Sequence, residues 1–93
     1  MKTLTQLREE IDQIDDRLIE LLARRRALSL SIGALKNREN WAIDDLCREE
    51  NLEQRLLTLA LTYHLDPLFI KELFSLILKY SKQVQQSLSL PQE

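Results

Sequence analysis

Glycine, proline, cysteine and aromatic residues are all scarce in this sequence. Its 93 residues include one Gly, two Pro and one Cys, and aromatic side chains make up 5% of them. Strands and tight turns need more β-branched residues and glycines, whereas long runs of Leu, Glu, Gln, Lys and Arg favour helix. A single cysteine excludes an intrachain disulfide and a cysteine-based metal cluster. The expected fold is therefore all-α, as one domain over residues 1–93.

An excess of positive charge and long apolar runs are missing as well. The formal net charge is -2 and the pI is near 5.4, whereas domains that bind nucleic acid are usually clearly basic. The opening segment MKTLTQLREEIDQIDD turns acidic where a secretory signal would be apolar. No later run approaches the length of a membrane span. We therefore expect a cytoplasmic protein that binds neither nucleic acid nor membrane.

The apolar spacing predicts three helices, one long and two shorter. Leucines and isoleucines recur at intervals of three and four from Leu4 to Leu35, which is typical of a helix with one buried face. A threonine cap, Thr3 or Thr5, begins this helix, and the segment HLDP separates the second helix from the third. The predicted helices cover about residues 4–37, 44–63 and 67–87, followed by a frayed tail at 88–93.

The predicted first helix is too long for its own chain to cover. About 33 helical residues extend roughly 50 Å, whereas a compact chain of this length is only about 30 Å across. The two shorter helices can shield only part of the apolar face of the first. We therefore expect an intertwined homodimer, in which a second copy covers the rest.

Polar residues interrupt the apolar face of each predicted helix. Arg25 takes the position between Leu21 and Leu28 where the spacing calls for an apolar residue. Lys36 projects from nearly the same side of that helix. The predicted inward face of the second helix contains Leu52, Leu56, Leu59 and Tyr63, and that of the third contains Ile70, Phe74, Ile77 and Val84. Both faces end in polar residues: Asp45, Arg48 and Glu49 in the second, and Ser81 and Gln85 in the third.

Two interpretations of these residues remain open at this point. Arg25 alone could form a buried ion pair that fixes the register of the helices. The whole set fits better with a polar pocket, because burying so many polar groups costs stability unless a site uses them, and an excess of cations indicates an anionic ligand. Arg8 lies about 25 Å before Arg25 along one helix, so it can join such a pocket only from the other subunit.

The motifs resemble a known family. The segment LREEIDQIDDRLIELLARR is similar to the opening signature of the all-α class of chorismate mutases, and IGALK, DDLCREENL, HLDPLFIKELFSLI and SKQVQQ follow at the family's spacing. Over about residues 4–88 the chain most resembles the mutase domain of enzymes that join chorismate mutase to prephenate dehydratase. The resemblance implies catalytic roles for Arg25, Lys36, Glu49 and Gln85, and substrate-binding roles for Asp45, Arg48, Ser81 and Arg8 of the partner subunit.

The reaction implied by the resemblance is the conversion of chorismate to prephenate in aromatic amino-acid biosynthesis. This [3,3] rearrangement is intramolecular and uses no nucleophile, metal or cofactor. The protein selects the reactive conformer and stabilises negative charge on the ether oxygen. The resemblance implies that the substrate carboxylates are held by Arg25 and by Arg8 of the partner subunit, with help from Arg48 and Ser81. It implies that the ether oxygen accepts hydrogen bonds from Lys36 and Gln85. The ring hydroxyl would be bound by Glu49 and by the backbone near Asp45. Ser29 and Ser31 are expected to touch none of these contacts.

Two other functions fit parts of the pattern. Isochorismate pyruvate lyases share the fold and much of the pocket, but those that resemble this family generally lack an acid at the position of Glu49. A non-catalytic helical dimerisation or regulatory module would also explain the long amphipathic helix. Such a module would be more stable with leucine at Arg25 and Glu49, so the polar set favours the enzyme.

Overall fold

The computed structural model describes residues 1–87 and is all-α, as predicted. Helix α1 covers Leu4–Glu39, α2 covers Leu46–Thr62 and α3 covers Pro67–Gln86, and the residues described contain no strand. The tail predicted to be frayed, 88–93, lies outside the described residues. The prediction of three helices, one long and two shorter, is confirmed.

Local capping explains where α1 begins and ends. The Thr3 side chain accepts a hydrogen bond from the backbone N–H of Gln6, and the Gln6 side chain accepts one from the N–H of Thr3. This reciprocal capping box satisfies two backbone donors at the start of the helix. Asn40 closes the other end in the left-handed conformation, with φ 60° and ψ 32°, which asparagine tolerates better than most residues. The helix therefore ends at Glu39, two residues beyond the predicted end at about 37.

Aspartates cap the two shorter helices. Asp45 precedes α2 and accepts a hydrogen bond from the N–H of Arg48 at 3.0 Å, so this helix starts at Leu46 rather than at the predicted position 44. Asp66 caps α3 through the N–H of Leu68 at 2.9 Å, and a proline follows it at the first helical position as predicted. Both carboxylates lie where the helix dipole favours negative charge.

Helix α3 lies between the other two helices in the packing of the chain. It packs against both α1 and α2, which do not pack against each other. The buried apolar side chains are Leu52 and Ala60 of α2 and Val84 of α3. The inward face predicted for α3 is correct over its length, since Ile70, Phe74 and Ile77 are half-buried and lead to buried Ser81 and Val84. The α2 face is correct only in its first half, because Tyr63 is 70% exposed.

Gly33 is the point of closest approach between α1 and α3. A Cβ atom on this residue would lie only 2.7 Å from the Cα of Gln85 and 3.0 Å from its carbonyl oxygen. Carbon atoms in proteins do not approach so closely, so any side chain here would push the two helices apart. The glycine in the middle of α1 thus allows backbone-to-backbone packing.

The apolar face of α1 is largely uncovered by this chain. The molecule measures 57 × 31 × 16 Å with a radius of gyration of 17.0 Å, against about 12 Å for a compact chain of this length. Along the first half of α1 the exposed apolar side chains include Leu4, Leu7, Ile11, Ile14 and Leu18. An apolar face of this size marks a surface for another molecule. The homodimer expected from the sequence stays a prediction.

Candidate functional site

The polar residues of the candidate site come from four parts of the fold. They are the second half of α1, the connection 40–45, the first turn of α2 and the last turns of α3. Because α3 packs against α1 on one side and α2 on the other, its last turns bring the polar ends of all three helices into one region.

Arg25, Ser29 and Ser81 form a hydrogen-bonded group between α1 and α3. The Nη1 of Arg25 donates to the Oγ of Ser81, and the Oγ of Ser29 lies 3.2 Å from the same oxygen. Both serines are buried, with 4% and 7% of their surface exposed. The prediction that Ser29 touches no site contact is therefore wrong. The sequence does indicate that Ser29 can contact the site, since Ser29 lies four residues after Arg25 and hence on the same face of α1.

The guanidinium groups of Arg25 and Arg48 lie close enough to repel each other. Burial lowers the pKa of Arg25 from its ordinary value, and the positive charge of Arg48 lowers it further. Over residues 1–87 neither arginine forms an ion pair with a carboxylate. The interpretation of Arg25 as half of an ion pair that fixes the helix register requires a carboxylate partner, and residues 1–87 provide none. A half-buried and an exposed guanidinium that lie close together without an acidic partner are suited to an anion.

Lys36 connects α1 to the segment that follows it. Its Nζ donates to the backbone carbonyl oxygen of Ile43 at 2.8 Å, and its side chain is half-buried. An ammonium group has three donors, so this bond leaves Lys36 able to donate to a ligand as well.

The acids of α2 already have partners. Asp45 caps the helix through the N–H of Arg48, as described above. The Oε1 of Glu49 lies 2.6 Å from the Nζ of Lys82, which also lies 2.9 Å from the Oδ1 of Asp44. Neither Lys82 nor Asp44 is among the site residues predicted from the sequence. Each is adjacent in sequence to a predicted site residue, which is a weak signal because neighbours in a helix point in different directions.

Gln85 presents a buried polar atom with no partner. Its Oε1 is fully buried and has no hydrogen bond among the described residues, and its backbone lies against Gly33. An unpaired buried polar atom costs about 1–3 kcal/mol, which a ligand that completes the hydrogen bond can recover. The unsatisfied atom is an acceptor, so only a ligand group that donates a hydrogen bond can satisfy it.

Arg8 lies far from the other site residues of its own chain. It is an exposed residue near the start of α1, about 25 Å along the helix from Arg25. This chain alone does not bring Arg8 to the site.

Two further observations bear on what the site can hold. Within residues 1–87, no group of three or more His, Cys, Asp or Glu side chains is arranged to bind a metal ion. In the same part of the chain, no helix has the length and apolar character required to cross a membrane.

Comparison with known proteins identifies the family. The family model described as chorismate mutase type II matches residues 7–86. The chain is 41% identical over 85 residues to a bifunctional chorismate mutase/prephenate dehydratase of Escherichia coli strain K12, covering 91% of this chain and 22% of that protein. It is 26% identical over 86 residues to a chorismate mutase of Methanocaldococcus jannaschii, covering 92% of this chain and 87% of that one. The chain thus spans about a fifth of the length of the bifunctional relatives it matches.

Proposed function

Because the chain belongs to the chorismate mutase type II family, we propose that it is an isomerase that converts chorismate to prephenate in aromatic amino-acid biosynthesis. The observation that carries the proposal is a pair of neighbouring guanidinium groups, half-buried Arg25 and exposed Arg48, which have no carboxylate partner among residues 1–87. Chorismate is a dicarboxylate, and the planar fork of arginine matches a carboxylate with two parallel hydrogen bonds.

The reaction requires positioning and charge stabilisation from the protein. In a [3,3] rearrangement one carbon–oxygen bond breaks while one carbon–carbon bond forms within the same molecule, and no proton or electron is exchanged with the protein. Holding the folded conformer so that the two carbons meet removes much of the entropic barrier. Arg25 serves this purpose by fixing a carboxylate. Its bond to Ser81, whose hydroxyl also bonds to Ser29, fixes the guanidinium in turn.

Negative charge accumulates on the ether oxygen as its bond to carbon breaks. Lys36 and Gln85 stabilise that charge, because an ammonium and an amide N–H can both donate to the oxygen. One hydrogen bond and one packing contact support their placement: Lys36 donates to the carbonyl of Ile43, and the backbone of Gln85 packs against Gly33. Glu49 accepts a hydrogen bond from the ring hydroxyl, and Asp45 orients the first turn of α2.

The active form in this proposal is a homodimer. A second copy covers the exposed apolar face of α1 and supplies Arg8 of the partner subunit to the second carboxylate. The length of α1, 36 residues, and the large apolar area it exposes support this arrangement. The cytoplasmic location expected from the sequence is part of the same proposal.

Loss of chorismate absorbance with purified protein, followed by identification of the product, tests the proposed activity. Prephenate is the expected product, and Arg25→Ala is the matched inactive control. Release of pyruvate with salicylate from isochorismate would instead identify a lyase. No turnover of either compound by a folded dimer would favour the non-catalytic dimerisation module.

A further inference from the structure

Lys82 joins two acids that lie on different parts of the fold. It follows Ser81 on α3, and its Nζ lies 2.9 Å from the Oδ1 of Asp44 and 2.6 Å from the Oε1 of Glu49. Asp44 belongs to the connection between α1 and α2, whereas Glu49 lies in the first turn of α2. One ammonium group on α3 therefore holds both the connection and the helix that follows it.

We propose that Lys82 is a positioning residue of the site, which orients the Glu49 carboxylate toward the substrate and keeps it from pairing with the site arginines. The proposal rests on the proposed function, since Glu49 is taken to accept the ring hydroxyl of chorismate.

The first reason is the geometry of the Glu49 carboxylate. A glutamate side chain has several free rotations, and fixing them costs entropy when the substrate binds unless another bond has already done so. The bond to Lys82 uses Oε1 and leaves Oε2 with its lone pairs available. The Glu49 side chain is 32% exposed, so solvent screens this bond only in part. Lys82 thus fixes the carboxylate in advance and leaves one oxygen for the ligand.

The second reason is the charge balance of the site. A carboxylate in the same region as unpaired guanidinium groups can pair with them. In the structure Glu49 pairs with Lys82, and neither Arg25 nor Arg48 has an acidic partner within the described part of the chain. By supplying its own positive charge, Lys82 leaves the arginines available to the carboxylates of a substrate.

The third reason is the position of the connection 40–45. This segment contains no regular secondary structure, and two lysines tie it down from opposite sides. Lys36 on α1 binds the carbonyl of Ile43 at 2.8 Å, and Lys82 on α3 binds Asp44 at 2.9 Å. Since Asp45 follows directly and caps α2, these bonds fix the start of the helix that carries Arg48 and Glu49.

The charged groups that face Lys82 keep the bridge ionised near neutral pH. They are Asp44 from the connection and Glu49 from α2, and Lys36 from α1 acts on Asp44 in turn. Hydrogen bonds to Asp44 and Glu49 raise the pKa of Lys82 above its ordinary value. The bond to Lys82 lowers the pKa of Asp44. The bridge therefore persists through the pH range of an ordinary assay.

Substitution of Lys82 tests the proposal through the kinetics of the purified full chain with chorismate. We expect Lys82→Met to lower kcat/KM by about tenfold, the effect of losing one charge-assisted hydrogen bond in a partly exposed place. Lys82→Arg keeps a charged donor and should restore kcat/KM to within about threefold of wild type. The matched control is Lys79→Met, which removes a charge from an exposed position one turn earlier on α3 and should change kcat/KM less than about twofold.

A double-mutant cycle distinguishes positioning of Glu49 from a general structural role. If Lys82 acts through Glu49, then Lys82→Met added to Glu49→Gln should reduce kcat/KM less than about twofold further. A full additional tenfold loss in the Glu49→Gln background would overturn the proposal. If Lys82→Met does not fold by circular dichroism, Lys82→Gln takes its place in the same cycle.

The order of measurement separates this proposal from the proposed function. Wild-type protein is assayed first, and a folded wild type without mutase activity would overturn both proposals together. An active wild type in which Lys82→Met behaves like Lys79→Met would overturn the role of Lys82 alone.

Discussion

Two cations of the site, Arg25 and Lys36, donate hydrogen bonds to neutral oxygens and form no ion pair within residues 1–87. Arg25 bonds to Ser81, and Lys36 bonds to a backbone carbonyl. Hydroxyl and carbonyl oxygens orient a cation without neutralising it, whereas a carboxylate partner would satisfy the charge and compete with an anionic substrate. This choice of partners keeps the cations available for binding and for transition-state stabilisation.

Arg25→Ala and Lys36→Ala should each lower kcat/KM by at least two to three orders of magnitude. That loss corresponds to about 3–4 kcal/mol, the range for removing one preorganised electrostatic contact to the transition state. Steady-state kinetics with chorismate measure the effect, and circular dichroism checks that the helices remain. Activity within about tenfold of wild type, only about 1.4 kcal/mol, would contradict the assignment of that residue to the pocket.

Gln85→Glu should lower kcat/KM at neutral pH and restore it at acid pH. Above the pKa of the introduced carboxyl, its negative charge opposes the charge that forms on the ether oxygen, so kcat/KM falls. Below that pKa the protonated acid can donate a hydrogen bond as the amide did. We expect low activity near pH ~7.5 and recovery toward pH ~5, relative to wild type over the same range.

The control for this prediction is Gln83→Glu, which makes the same chemical change at an exposed position of α3. Its pH profile should follow that of wild type. If the Gln85→Glu profile also ran parallel to wild type, Gln85 would not contact the reacting oxygen.

The helices are positioned by small residues and caps as much as by apolar burial. Among residues 1–87, only Leu52, Ala60 and Val84 are buried apolar residues. Close approach of α1 and α3 at Gly33 brings Gln85 up to the same region as Arg25 and Lys36. Packing between these two helices therefore determines the geometry of the site directly.

Gly33→Ala should destabilise the protein although alanine is the better helix former. The added methyl would lie 2.7 Å from the Cα of Gln85, and such overpacking typically costs about 1–3 kcal/mol. The gain in helix propensity is only about 1 kcal/mol. Thermal unfolding should show a lower Tm, and kcat/KM should fall because Gln85 is displaced. Ser31→Ala, at an exposed position of the same helix, is the control, and an equal or higher Tm for Gly33→Ala would contradict the close packing.

In a single chain, much of the apolar face of α1, the longest helix, is exposed to solvent. The extent of 57 Å along one axis and the apolar side chains exposed on α1 are poorly suited to a monomer in water. A second copy that packs along α1 would remove this surface from water. It would also bring Arg8 of the partner subunit near residues that Arg8 of the same chain cannot reach.

Mixing two inactive variants should restore activity if each site uses both chains. Arg8→Ala and Arg25→Ala should each be nearly inactive alone. After unfolding and refolding together, the heterodimer contains one site with both arginines intact, so about a quarter of wild-type activity should return when half of the dimers are mixed. A monomer in sedimentation, or no recovery despite proven heterodimers, would exclude the shared site.

Asp45 and Arg48, which were predicted to face inward, are exposed. Helical periodicity and capping rules were nevertheless enough to predict the three helices and the buried or half-buried positions of the other polar residues, Arg25, Lys36, Glu49, Ser81 and Gln85. Both depend on neighbours a few positions away in the chain. The ends of the helices were harder to place, because α1 continues beyond the point where its apolar pattern stops and ends only at the left-handed residue Asn40.

Contacts between helices were decided only by the tertiary structure. Ser29 and Ser81 are 52 positions apart along the chain, yet their hydroxyls lie within 3.2 Å. The bridge from Lys82 to Asp44 and Glu49 joins α3 to the start of α2 in the same way. A sequence pattern fixes which face of a helix is polar, but the crossing point and rotation of two helices depend on how closely their backbones can approach. At Gly33 the close approach is possible because glycine has no side chain. The sequence alone does not show this, because the contact is made with α3, far along the chain.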